Sequence, residues 1–282
     1  MIKFLDILKE SDDNIFIPRG SKEEKDKVLI RKEYDKIQDY IKNGSEGNLV
    51  LTSSPIKVLP RNLTKVGGKL NLFYSQIEKL PENLRVNGTL DLDSCINLQE
   101  LPNGLKVKYN LDLRNSSIKS LPSDIEVGGS LILVNSQIEK LPDNLTVNEI
   151  LNLVFCKNIQ SLPNGLKVKY GLDLRYTNIT SLPSDIEVGG NLILMNSQIE
   201  KLPDNLTVNG YLWLDYCKNL QELPNGLKVK TSLDLRNTNL TSLPSDLEVG
   251  GSLYLWDTPI SRRYTEEQIR KMVPGVKGRI IL

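Results

Sequence analysis

"KYNLDLRNSSIKSLPSDIEV", residues 108–127, returns almost unchanged as "KYGLDLRYTNITSLPSDIEV" at 169–188 and as "KTSLDLRNTNLTSLPSDLEV" at 230–249. The copies stand 61 residues apart, and a shorter pattern recurs inside each interval. The proline of a Leu-Pro pair falls at 60, 81, 102, 122, 142, 163, 183, 203, 224 and 244, in steps of 20 or 21. Self-similarity at such a period points to identical supersecondary units stacked in a row rather than to a single layered core.

Each unit reads roughly L-x-L-x-x-(S/T/C)-x-(I/L)-x-x-L-P-x-x-(L/I)-x-V-x-G. The strand-like L-x-L pairs begin at 49, 70, 90, 111, 131, 151, 172, 192, 212, 233 and 253, which makes eleven units. Side chains alternate along an extended segment, so both leucines point inward and the residue between them points out. No unit can cover its own leucines, and neighbours must stack on one another.

These residues resemble the leucine-rich repeat family and its motif L-x-x-L-x-L-x-x-N-x-L. The match covers about residues 47–260, and the short unit looks most like bacterial and bacteriophage varieties. The resemblance implies a curved solenoid, mainly β, with short strands on its concave face. A unit this short leaves room for a strand, a turn and an extended or 3₁₀ return, and prolines in the return argue against a helix there. One departure is visible. Where the family usually has asparagine, this chain has Ser54, Ser75, Cys95, Ser116, Ser136, Cys156, Thr177, Ser197, Cys217, Thr238 and Thr258.

The ends read as covers. In residues 21–43, Ser21 and Glu24 make a capping-box pair, Gly44 stops the helix, and Ile30, Tyr34, Ile37 and Ile41 fall on one face. Thr265 and Gln268 open a short helix to about Met272, and the final "RIIL" closes the sheet. The division expected is a helical cap or leader over 1–46, the repeat array over 47–260, and a C-terminal cap over 261–282. Leu8-Lys9-Glu10 also fits the cleavage pattern of short leaders in tailed phages.

Composition removes several kinds of chemistry. A net charge of +1 gives no electrostatic reason to expect nucleic acid or an anionic membrane as partner. No run approaches the roughly 18 apolar residues of a membrane span, and the N-terminus has no secretory cleavage pattern. Histidine is absent, and with it the commonest general base and metal ligand. The three cysteines obey the 61-residue period, so stacking separates them by about 14 Å, too far for a disulfide or a shared metal. The "VGG" runs lack the helix and lysine of a phosphate loop. No catalytic residue, metal or cofactor is therefore expected. The cytoplasm is the expected location, or the host cytoplasm or virion if the chain is phage-encoded.

What remains is the outward strand face. Phe73, Tyr74, Phe155, Tyr176, Met195, Trp213, Tyr216, Tyr254 and Trp256, with Ile132, Val134, Val154 and Ile193, are expected there, although the core does not need them. Asp112 with Arg114, Asp173 with Arg175 and Asp234 with Arg236 share that face, with Asp93 and Asp215 each one unit before an arginine. Those charges read either as a solvated, register-setting surface or as the reader of a charged partner. A row of opposite charges, from Arg85, Lys106 and Glu126 to Lys228 and Glu248, is expected along the return segments. Exposed apolar surface rich in Trp, Tyr and Arg is the usual mark of an interaction site. The function expected is binding of another protein, with Tyr176, Arg175, Met195, Trp213, Tyr216, Arg236, Tyr254 and Trp256 as contact residues. The alternatives are a component of a bacteriophage particle, the recognition part of a bacterial effector, and a carbohydrate-binding surface.

Overall fold

The computed structural model describes residues 22–282. Ser21 and the Leu8-Lys9-Glu10 stretch lie outside the described residues. The leucine pairs build one twelve-stranded, wholly parallel sheet, from Leu49–Val50 at one end to Ile280–Ile281 at the other. Register is leucine on leucine: Leu49 pairs with Leu70, Leu70 with Leu90, Leu111 with Leu131 and Leu192 with Leu212. The predicted closing strand pairs through Leu253 and Ile280. Burying one such side chain is worth roughly 1.5–3 kcal/mol. The leucines form one continuous core with the later Ile, Leu and Val of each unit.

Each of the eleven leucine-pair strands ends in the same four-residue turn. Its third residue is left-handed in all eleven units, from Ser53 (φ 53°) through Tyr216 (φ 61°) to Asp257 (φ 56°). The turn closes when the N–H of the following small residue donates to the second leucine's carbonyl, as from Ser75 to Leu72 at 3.0 Å and from Cys217 to Leu214 at 3.0 Å. The departure from asparagine has a local explanation here. Thr177 and Thr238 donate their hydroxyls to the leucine carbonyl of their own turn, both at 2.7 Å. Cys95, Cys156 and Cys217 donate to Leu72, Leu133 and Leu194 of the turn before, at 3.0, 2.9 and 3.1 Å. Either way a small side chain satisfies a carbonyl that the turn buries.

The return segments are extended. They form two-residue strands gathered in three separate sheets rather than one: 65–126, 146–187 and 207–248 by their first residues. Each break follows a unit of the "SDIEV" type. In the two units before it the chain passes through a left-handed residue, Asn83 and Gly104 in the first block and Asn144 and Gly165 in the second. The third unit has aspartate there instead, and its carboxylate accepts the preceding Gly N–H, Asp124 from Gly104 and Asp185 from Gly165, both at 2.8 Å. The two breaks open grooves of about 620 and 590 Å³ on the flank. The predicted charge row lies along these strands, with Lys106 on Glu126, Lys167 on Glu187 at 2.7 Å and Lys228 on Glu248 at 2.9 Å.

Helix α1, Lys22–Lys42, lies over the first turn with Ile37 fully buried and Tyr34, Tyr40 and Ile41 packed beside it. It stops at Gly44, where Gly44 N–H donates to Ile41 and Ser45 N–H to Tyr40, a Schellman arrangement. Two short helices cover the other end. Helix α2, Pro259–Arg263, is capped by Thr258, and α3, Glu266–Met272, by Thr265 with Gln268 as read from the sequence. Helix α2 was not anticipated, because Thr258 continues the small-residue row and masks its second role as a helix cap.

Two glycines test this account of the stacking. A Cβ at Gly190 would run into the Tyr170 carbonyl of the previous turn, whereas at Gly171 the nearest atom is 3.7 Å away. In chemical denaturation, Gly190→Ala is expected to lose more than about 2 kcal/mol, while Gly171→Ala is neutral or gains up to about 1 kcal/mol.

Candidate functional site

Three lines of side chains face the open, concave side of the long sheet: the residue between the leucines, the residue after them, and the left-handed residue of the turn. The first line runs through Asp112, Ile132, Asn152, Asp173, Ile193, Trp213, Asp234 and Tyr254, each paired with the next. In the second, Arg175, Met195, Asp215, Arg236 and Trp256 follow on successive turns, and in the third, Tyr176, Asn196, Tyr216, Asn237 and Asp257.

The third line sets a steric condition. A left-handed backbone crowds Cβ against the next carbonyl and costs an ordinary residue about 1–2 kcal/mol, least for Asn and Asp. Seven of the eleven residues are Ser, Asn or Asp, and the other four are Tyr74, Phe155, Tyr176 and Tyr216. Their rings stand on the concave side. Phe155 and Tyr176 stack at 4.6 Å with 14° between planes, and Tyr74 lies tilted against Phe73 at 6.2 Å.

Charges on the face form forks along the strand. Arg114, Arg175 and Arg236 each give Nε and Nη2 to the aspartate two residues earlier, with Nη2 at 2.6, 2.7 and 2.5 Å from Asp112, Asp173 and Asp234. These are two-pronged, charge-assisted bonds. Arg114 also approaches Asp93 at 3.6 Å. Arg236 lies over the Tyr254 ring at 5.9 Å.

Of the sequence-predicted residues, Trp213, Tyr216 and Trp256 are exposed, at 37%, 45% and 57%. Arg175, Tyr176, Met195, Arg236 and Tyr254 are half-buried on the same face. The structure joins Tyr176 to Phe155 and Arg236 to Tyr254, and it sets Trp213 6.0 Å from Tyr211, a residue the sequence reading omitted. Tyr211 precedes the leucine pair, 61 residues after Ile150, and both are exposed. Their shared period was the signal available. Val154, expected on the surface, is buried, as are Asp93, Asp112, Asp173, Asp215 and Asp234. Side chains converge on the inside of a curve, so taller neighbours cover short ones.

The cysteines lie inside the solenoid. All three are buried and free, and burial pushes the Cys217 thiol up to about 11 and the other two in the same direction. Among the described residues no group of acids and thiols is placed to hold a metal ion, and no helix is long and apolar enough to cross a membrane.

The strands stack in parallel, in turns of 20 or 21 residues, with leucines inside and a short return outside. The chain is a parallel-strand solenoid consistent with leucine-rich repeats. Such solenoids generally mediate contacts between proteins, on the extended concave surface that stacking creates. No protein-family model and no curated protein sequence matches it. Among solved structures it matches a leucine-rich repeat protein of Leptospira interrogans at 19% identity and a TM-score of 0.26, over 86% of this chain and 97% of that one.

Two outcomes follow. Tyr216→Asn relieves the left-handed strain and is expected to raise unfolding free energy by about 1 kcal/mol in a denaturant titration. The native thiols are expected to resist iodoacetamide at pH 8 and to react once the chain unfolds. Because the thiol pKa is raised on folding, the thiolate forms first in the unfolded chain. Stability from Cys217 is then complete below about pH 8.5 and falls as pH rises towards about 11, which thermal melts across that range would show.

Proposed function

We propose that the concave sheet binds a partner protein without catalysis, metal or cofactor. Residues 47–260 form the recognition array and the two ends cover its core. The observation that carries this reading is the placing of aromatic rings at left-handed turn positions, Tyr74, Phe155, Tyr176 and Tyr216, where asparagine serves the fold at less cost. Backbone strain kept at a surface position points to function. The anchor is the C-terminal half: Arg175, Tyr176, Met195, Trp213, Tyr216, Arg236, Tyr254 and Trp256. Large rings and forked arginines bring contact area at low entropic cost, and these residue types dominate interface energies. Three buried thiols suit a reducing location such as a cytoplasm.

In the double variant Trp213→Ala/Trp256→Ala, each truncation of an anchor is expected to cost about 2 kcal/mol or more, so affinity for a partner captured by the full chain falls by about a thousandfold in a binding titration. Unchanged affinity in a variant that keeps its melting temperature would falsify the assignment.

A further inference from the structure

Asp215 sits in the second outward line between Met195 and Arg236, in the turn that follows the Leu212–Trp213 strand, with Trp213 before it and Tyr216 after it in the chain. It is 7% exposed, with neighbours in the chain whose rings are exposed at 37% and 45%, so the carboxylate is recessed on this face. Each other aspartate on the three outward lines has a donor. Asp91 takes Lys69 Nζ at 2.8 Å, Asp112, Asp173 and Asp234 hold the arginine forks, and Asp257 pairs with Arg262.

The comparison with Asp93 is the most direct, since it occupies the same place two 61-residue blocks earlier. Asp93 accepts from Ser94 Oγ at 2.8 Å and from Asn115 Nδ2 at 3.0 Å, with Arg114 at 3.6 Å. At Asp215 this set is reduced. Tyr216 stands where Ser94 does, which removes the hydroxyl donor, and Arg236 forks onto Asp234 as Arg114 does onto Asp112 but without the additional approach to the second aspartate. Asn237 keeps the place of Asn115. Among the described residues no side chain donates to Asp215. Burial pushes its pKa up, Asp234 adds to the effect, and Arg236 and Arg175 oppose it.

A recessed carboxylate that no side chain donates to is less favourable in the free protein than a paired one. A cation removes that penalty, and the flanking ring faces attract the same charge. A neutral amide or sugar hydroxyl would satisfy the hydrogen bond and leave the charge uncompensated. We propose that Asp215, bracketed by Trp213 and Tyr216, receives one cationic side chain, a lysine or arginine projecting from the protein bound on the concave face. This rests on the reading of that face as a protein-binding surface.

The test uses the full chain and three capped tripeptides, acetyl-Gly-Arg-Gly-amide and its Lys and Gln analogues, followed by the indole resonance of Trp213. The Arg and Lys peptides are expected to bind saturably and the Gln peptide about tenfold more weakly or not at all. Asp215→Asn is expected to abolish that preference while the melting temperature stays level or rises; a structural ion pair would lower it. Asp93→Asn is expected to keep the preference. Equal binding of the three peptides, or a preference that survives Asp215→Asn, overturns the proposal. So does cellotriose shifting the same resonance in an Asp215-dependent way without a cation preference, which assigns the site to sugar. A preference intact in a protein whose partner ignores Trp213→Ala/Trp256→Ala removes the concave-face reading and leaves the cation site. A partner lost with the tryptophans but indifferent to Asp215→Asn does the reverse.

Discussion

The structure depends on one interaction, the burial of each turn's leucines against those of the turns beside it. A two-residue strand has almost no stability of its own, and one unit leaves its apolar residues half covered. Leu111 is buried only because Leu90 and Leu131 flank it in register. Everything else about the chain adjusts to keep that register. The small row of Ser, Thr and Cys lets the turn close on a buried carbonyl, and glycines such as Gly190 admit the neighbouring backbone. The helices at both ends stand in for turns that are not there.

Curvature follows from stacking strands on one side and short returns on the other, and it shapes the chemistry of the face. On the inside of the curve, side chains converge. Short ones sink, and five aspartates on this face are themselves buried. A carboxylate so placed needs a donor, and most find one two residues along the strand or one turn away. The exposed character of the surface is therefore set by the tall side chains, Trp213, Tyr216 and Trp256 among them.

The 61-residue block adds a second level. It repeats the arginine forks, the thiols and the breaks in the return sheet at intervals of three turns. Against that regular background the departures stand out. Tyr176 replaces the asparagine found at 115 and 237, and Asp215 keeps the acid of Asp93 while Tyr216 replaces its serine donor. Duplication explains sameness, and these sites are where the copies have ceased to be the same.

The solenoid, its strands, the inward leucines, the charge row and both helical ends were legible in the sequence, because a fixed period forces equivalent residues into equivalent places. The outward places of Trp213 and Trp256 followed from simple alternation about the leucine pairs. What only the tertiary structure decided lies between turns. Which aspartates sink, which arginine is already committed, that Val154 is covered and that Tyr211 joins Trp213 all depend on distances across strands and on the closing of a curved face. The left-handed turn is of the same kind. Nothing in the letters of Tyr216 announces a positive φ, since the backbone there is set by the stacked turns on either side rather than by the residue itself.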